Sequence, residues 1–534
     1  MRHYDRGLEP DVAADETSTA TGERALRWQV LAVVAVLVAL VAVTKVTSYD
    51  TWVHLSLGRW MSEHGTVVRA NLLSHTMPER PVVDHQWLFQ CGLYQLWRLV
   101  GIPGLVVAKA LVVGAAFAVV AATALRKGAT PTAAVAVALL AAYAARSRFT
   151  LRPQVVSFLL LAVYLYALER WRQTGRWWRL FVLLPVQVLW ANVHGSAVVG
   201  VALPFAYGLA EALRAALAAT GLKVQPGPRK GAEAVAPLCL SALLFMFSVW
   251  TPYGRDVLFE PFLLTRAQAV SGLRPFLLDR SPLPWSELLG GHAFFAVLVL
   301  FGLATLVGTL IRKDVTEAGL FAGLLVLAFH SQRFVGLFAI GAAPIVARNV
   351  SDAATAWLKR PRTAVRGGRR AVAQRVVVAL VVLALMELGW RGLRGEQPTG
   401  WQPPRGYLPE QEVAWVQAHA PAGNLFNEWE HGGFIAWRTG RPVFLDSRGL
   451  LAYDPELVRA YVASWTSGEI LAELTERYEL RVALVAREPL VAQFRASGRW
   501  TEVHRGPVCS VFVVTGGESG AARRARGAAG ATSP

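Results

Sequence analysis

The chain has 534 residues, 54% of them hydrophobic and 17% charged, with a mean hydropathy of +0.38. That balance excludes an ordinary soluble enzyme and points to a polytopic membrane protein. The net charge of +18 does not argue for a nucleic-acid partner, because much of the basic charge sits in short loops between apolar runs, where it reports topology.

The segment to Gly22 is polar and too long before the apolar run for an ordinary cleaved signal peptide, so the first apolar run reads as a true span and residues 1–27 as a cytoplasmic N-terminal segment. Windowed apolarity gives about eleven spans, near 28–46, 102–124, 131–146, 153–168, 178–193, 196–213, 233–250, 291–311, 315–330, 334–348 and 376–393. Every second loop is basic: Arg126 and Lys127, Arg170 to Arg179, Arg214 to Lys230, Arg312 and Lys313, and Lys359 to Arg375. These loops are expected on the cytoplasmic side, which puts the others and the C-terminus outside.

The first outer loop, 47–101, carries amphipathic helical patterns at 51–64 and 85–99 with Trp52, Trp60, Trp87 and Trp97, which fits helices lying in the interface plane. Asp50 and His54 are four apart and share one helix face. Val83-Asp84-His85-Gln86 offers a second carboxylate–imidazole pair. The outer loop 251–290 opens with Thr251-Pro252-Tyr253-Gly254, holds several prolines, and is expected to shape a groove.

With this topology the unusual polar residues collect on the outer side: Asp50, His54, Asp84, His85, Arg146, Arg148, Arg152, Asn192, His194, Tyr253, Asp279, His330 and Arg333. Ionisable groups at span ends are costly unless they serve a site. A single arginine there is equally well explained by snorkelling to headgroups; a set of them runs against the orientation bias. His194 either contacts substrate or hydrogen-bonds a neighbouring helix end.

Beyond 400 the pattern changes. A helix is expected after Pro409, short strands at 423–426, 442–445, 481–485 and 508–514, and helices at 454–465, 468–478 and 488–497. The whole is then a polytopic α-helical membrane protein, spans within 28–395, with a small C-terminal extracytoplasmic α/β domain at 400–516. The Gly/Ala/Arg-rich tail 517–534 reads as disordered. Of Cys91, Cys239 and Cys509, a Cys91–Cys509 disulfide is the one conceivable pairing. No P-loop, dinucleotide fingerprint or nucleophile elbow is present.

Two stretches carry a family likeness. Asp50-Thr51-Trp52-Val53-His54 with Gly58-Arg59-Trp60-Met61-Ser62-Glu63-His64-Gly65 resembles the opening of the GT-C membrane glycosyltransferases, in particular their oligosaccharyltransferase-like branch. Glu428-Trp429-Glu430-His431-Gly432-Gly433 followed by Arg441-Pro442-Val443-Phe444-Leu445-Asp446-Ser447 resembles the Trp-Trp-Asp-Tyr-Gly segment of that branch and the Arg…Asp-Asn stretch after it. Glu428, Glu430 and His431 depart from the pentad, so the resemblance implies the reaction class and not transfer to a peptide.

The resemblance implies transfer of a sugar from a polyprenyl-linked donor on the extracytoplasmic face. Asp50 is the candidate base toward the acceptor hydroxyl, or alternatively a helix N-cap, and the two roles are compatible. Arg148, Arg152 and Arg333 suit the anionic leaving group. His54, Asp84, His85, His194, Trp429, Glu430 and His431 complete the candidate substrate-binding set. Asp50, His54 and Asp84 are candidate ligands for a divalent metal such as Mn or Mg; their spacing is not that of a dedicated zinc site. For Asp446 and Arg448 a local ion pair is the slightly favoured reading. The rival function is a transporter or flippase of a lipid-linked or anionic glycan, which ordinarily shows a midplane site and inverted repeats; no repeat is visible.

Overall fold

The computed structural model describes residues 12–221, 232–260, 291–312, 314–359 and 400–514, with isolated positions between 263 and 288. In chain order the helices are α1 (Val12–Ala42), α2 (Asp50–His64), α3 (Trp87–Arg126), α4 (Pro131–Ala145), α5 (Gln154–Thr174), α6 (Leu183–Val193), α7 (Ala197–Ala219), α8 (Ala232–Phe247), α9 (Ala293–Arg312), α10 (Val315–His330), α11 (Val335–Lys359), α12 (Glu410–His419), α13 (Trp429–Thr439), α14 (Pro455–Ala463), α15 (Gly468–Arg477) and α16 (Glu488–Ala496). The strands are β1 (Asn424–Asn427), β2 (Leu480–Val485), β3 (Trp500–Arg505) and β4 (Ser510–Val514). The chain divides into two compact units: Met1–Thr44 with Val106–Trp250 and Leu278–Trp401, and Lys45–Leu105 with Thr251–Leu277 and Gln402–Pro534.

The first unit is a helical bundle. Six helices among the described residues are long and apolar enough to cross a membrane, and three more apolar segments are shorter, Trp177–Val193, Val235–Phe247 and Val315–His330. Ten of the expected spans coincide with helices; the eleventh, 376–393, lies outside the described residues, as do Asp279 and the tail. Proline and glycine set the breaks. Thr130 caps α4 by accepting from the Ala133 N–H at 3.3 Å, with Pro131 in the first turn, and Gly175 closes α5 in the left-handed region at φ 66°. The core is aromatic and aliphatic, with Phe295, Phe321 and Phe338 stacked edge to face. Tyr164 reaches Gln187 at 2.6 Å and Gln187 reaches Ser248 at 2.8 Å, satisfying buried polar groups inside it.

At one end of this bundle the charges pair. Lys127 lies 2.7 Å from both Glu169 and Glu317. Arg172 meets Asp314 at 3.0 Å and Glu211 at 3.5 Å. Arg312 meets Glu317 at 3.0 Å and Asp352 at 2.6 Å. Lys127, Arg172 and Arg312 were expected as topology markers; they are also the basic half of a network whose acidic half sits at the ends of α5, α7, α10 and α11.

The second unit holds the C-terminal domain, with α2 and the amphipathic start of α3. Its sheet runs β1-β2-β4-β3, with β1 parallel to β2 and the other pairs antiparallel. Three expectations need correction. The run 442–445 is not a strand of this sheet: Val443 accepts from the His75 N–H at 3.1 Å and donates to the Leu73 carbonyl at 2.8 Å, so it pairs with the first loop instead. Conversely β3, not expected, pairs with β4; its alternating burial follows from Trp500 inward and Thr501 outward. The amphipathic pattern 85–99 is real but runs into the second span, the break between them being Gly101 at φ 63°. All three cysteines are free thiols, so the Cys91–Cys509 pairing is absent.

Candidate functional site

Asp50 opens α2. The N-cap position belongs to Tyr49, which makes no side-chain cap bond, so Asp50 sits in the first helical turn, where a carboxylate suits the helix dipole. The cap role considered for it is therefore not the one it has. α2 packs against α13, and the glycines of the Glu428–Gly433 stretch explain how. A Cβ on Gly433 would stand 2.9 Å from the Val53 backbone nitrogen, and one on Gly432 would stand 2.0 Å from the Leu445 carbonyl oxygen. Only glycine lets α13 sit this close on both sides. Ser56 donates to the Gly433 carbonyl at 3.5 Å, and Trp52 meets Phe434 edge to face at 5.2 Å.

The other carboxylate–imidazole residues gather beside α2. Gln90, from the start of α3, donates to Asp84 at 3.1 Å and lies 3.5 Å from His54 Nδ1, so it bridges the two. His85 Nδ1 is 3.3 Å from Glu260 Oε2. Tyr253 donates to the Val68 carbonyl at 2.6 Å and Arg69 to the Pro252 carbonyl at 2.8 Å, which docks residues 251–260 on the first loop. Burial pushes the Asp84 carboxyl up, against the opposing pull of His85, the Gln86 N–H and Arg448. Asp84 Oδ2 has no hydrogen-bond partner among the described residues. Among those residues no three His, Cys, Asp or Glu side chains gather closely enough to hold an ion. Asp50, His54 and Asp84 therefore do not by themselves form the donor set considered for Mn or Mg.

Sequence reasoning gave Arg448 only a local role. It is bidentate on Asp446 at 2.8 and 2.6 Å, as the favoured reading had it, and it also donates to Asn71 at 2.5 Å. Tyr453 donates to the same carboxylate at 2.8 Å. The pair holds the Asp446 carboxyl below the usual carboxylate range even though burial opposes this, and the network ties the first loop to the C-terminal domain.

On α13 the three candidates differ. Trp429 leans on Tyr461 at a ring distance of 5.7 Å. Glu430 accepts from the Arg487 guanidinium, which lies 4.4 Å over the Trp465 ring. Glu428 accepts from the Arg487 backbone N–H at 2.7 Å, and burial raises its carboxyl. His431 is buried, 3.6 Å from the Cys509 thiol and edge-on to Tyr49. Burial, with the nearby Arg487, lowers its imidazole to about 4, so it is neutral at pH 7. Gln90, Asn71 and Arg487 escaped the sequence reading, because amides and a lone arginine in a small domain carry no motif.

In the helical unit Arg148, Arg152, His194 and Arg333 lie at the end opposite the ion network. The helices alternate: α5 starts at Gln154, which accepts from Arg148 at 3.1 Å, and ends beside Lys127. Ser157 lies 2.9 Å from His194 Nδ1, which is 2.6 Å from Ser196, joining the α6–α7 link to α5. The hydrogen-bonded helix-end reading of His194 is thus realised. Arg333 follows α10, which begins at the ion network; three residues on, Gly336 lies against the Phe158 ring.

No protein-family model matches the chain, and no curated protein matches it by sequence. Solved structures do. The archaeal oligosaccharyltransferase AglB from Archaeoglobus fulgidus, in complex with an inhibitory peptide and a dolichol-phosphate, is similar over 86% of this chain and 69% of its own, at 13% identity and a TM-score of 0.58. The oligosaccharyltransferase of the same organism in complex with Zn and sulfate gives 85% and 67%, 12% identity and a TM-score of 0.57. ArnT from Cupriavidus metallidurans in the apo state gives 92% and 98%, 15% identity and a TM-score of 0.50. The likeness expected from two short stretches thus extends over most of the chain: this is a polytopic membrane protein with the GT-C fold.

Proposed function

We propose that the protein is an integral-membrane glycosyltransferase, transferring a sugar from a polyprenyl-linked donor to an acceptor on the extracytoplasmic face. The observation that carries this reading is a carboxylate, Asp50, opening the helix after the first span of a GT-C fold. The basic loops and N-terminus then face the cytoplasm, and 400–516 faces outward.

In the reaction Asp50 accepts the proton of the acceptor hydroxyl as its oxygen bonds to the anomeric carbon. The bond from that carbon to the carrier phosphate breaks, and the phosphate leaves as an anion. The cations Arg148, Arg152 and Arg333 are the groups suited to that charge. His54, Gln90 and Asp84, joined by the Gln90 amide, are the polar groups proposed to meet a hydroxylated substrate. Glu428 and Glu430 are both engaged by Arg487, which supports an acceptor other than a peptide.

The test uses the full chain in nanodiscs with undecaprenyl-phosphate-linked mannose, glucose and arabinose, following release of undecaprenyl phosphate. Asp50→Asn should lower turnover of the accepted donor by about 10²–10⁴-fold. Unchanged turnover in folded protein, or movement of intact donor between leaflets without cleavage, would overturn the proposal.

A further inference from the structure

Lys109 lies in α3 near the start of its second half and is 3% exposed. Its ammonium donates to Thr44 Oγ1 at 2.6 Å and to the Thr44 carbonyl at 3.2 Å. Those are its partners among the described residues, and neither carries charge. The carboxylates of its unit whose side chains are described, Glu23, Glu169, Glu211, Asp314, Glu317 and Asp352, belong to the halves of their helices remote from Thr44.

A buried ammonium without a counter-charge is expensive. Capping offsets part of this, since Thr44 follows the end of α1 and a cation is favoured at a helix C-terminus. Among the described residues it leaves the charge without a carboxylate and the third N–H without an acceptor. Thr44 Oγ1 in turn donates to the Phe149 carbonyl at 3.1 Å. The ammonium is thereby fastened to the turn that carries Arg146 and Arg148. Arg146 itself lies 5.7 Å over the Phe294 ring.

We propose that Lys109 binds the phosphate of the lipid carrier: its third proton goes to a phosphate oxygen, and Thr44 aims it. The ligand class is a lipid phosphate monoester, whose prenyl chain remains among the helices while its anionic head supplies the counter-charge that the described residues of this unit do not place beside Lys109. The inference rests on the lipid-linked donor proposed above.

The experiment reconstitutes the full chain in nanodiscs of neutral phosphatidylcholine. It measures thermal midpoint and affinity for undecaprenyl phosphate, with undecaprenol, phosphatidylglycerol and inorganic phosphate as separate arms. Lys109→Met should leave the ligand-free midpoint the same or higher, because a methionine avoids the buried charge. It should weaken undecaprenyl phosphate binding about tenfold or more and leave undecaprenol binding unchanged. Lys109→Arg should recover part of the loss. A lower ligand-free midpoint with unchanged affinity would make Lys109 a cap only and overturn the proposal. An equal Lys109 dependence for phosphatidylglycerol or inorganic phosphate would overturn its assignment to the carrier. Donor turnover by the wild type with unaltered binding in Lys109→Met would remove this inference and leave the transferase standing; a wild type that neither binds nor turns over the donor would remove both.

Discussion

The two ends of the helical unit treat charge in opposite ways. At one, Lys127, Arg172, Arg312 and Arg348 interlock with Glu169, Glu211, Asp314 and Glu317, and each buried carboxylate has a cation within 3.6 Å. At the other, Lys109 is buried with the hydroxyl and carbonyl oxygens of Thr44 and, among the described residues, no acid beside it. The same bundle, drawing on the same residue types, closes its books at one end and leaves them open at the other. Burial penalises both kinds of charge, so the difference teaches that the paired end offsets its desolvation internally, while the cationic end is where the proposed carrier phosphate would do so.

The largest expected effect comes from breaking the paired end. Glu317 meets Lys127 at 2.7 Å, Arg312 at 3.0 Å and Arg348 at 3.4 Å. Glu317→Ala removes the buried carboxylate that three cations share, leaving Lys127 with Glu169 and Arg312 with the half-exposed Asp352, and should cost about 3–5 kcal/mol. A large fall in thermal midpoint checks it; a fall no greater than that of a surface substitution would erase the contrast between the ends.

The second unit supplies an intermediate case, an ion pair that is buried but also linked to the candidate site. Arg448→Met removes the partner of Asp446, yet Asp446 keeps the Tyr453 hydroxyl and a backbone N–H. The loss should therefore be smaller, about 3 kcal/mol. Because Arg448 also donates to Asn71 and attracts Asp84, donor turnover should fall more than stability alone explains, read as the turnover of the fraction still folded.

Much of the fold was visible in the residues, and the reasons are local. Apolar runs of span length are self-evident, and caps mark α4, α10 and α15, where Thr130, Asp314 and Ser467 each accept from an N–H three residues on. The acidic half of the ion network was not legible, since Glu169 and Glu317 look like isolated charges until the helices are stacked. Val443 misled because its pairing partners, Leu73 and His75, lie far off in the chain and an edge-pairing segment looks like any strand. Asp84 and His54 stood out as polar residues in apolar company. Gln90 between them did not, and Lys109, a single charge within a span, belongs to no motif.

A titration separates burial from pairing in the second unit. His431 has an ordinary value of 6.5 and is lowered to about 4 by burial, then by Arg487. The folded state binds fewer protons than the unfolded one between those values, so stability is full above pH 6.5 and is lost as pH falls toward 4. At pH 5 the loss is about 2 kcal/mol. Thermal midpoints from pH 7 to 5 should show it, and His431→Gln should flatten that window; an unaltered slope in the variant would assign the titration elsewhere.

The smallest effect belongs to the rim of the ion network and tests whether burial is the deciding variable. Arg312 meets Asp352 at 2.6 Å, a shorter distance than its 3.0 Å contact with Glu317, but the Asp352 side chain is 50% exposed against 2% for Glu317. Water screens an exposed pair and solvates the cation that remains. Asp352→Asn should therefore cost less than about 1 kcal/mol, although it removes the shorter contact. Paired midpoints for the two variants in one nanodisc preparation measure the ratio. Similar losses for Asp352→Asn and Glu317→Ala would mean that contact length and not desolvation sets the scale, and the cost ascribed to an unpaired Lys109 would lose its basis.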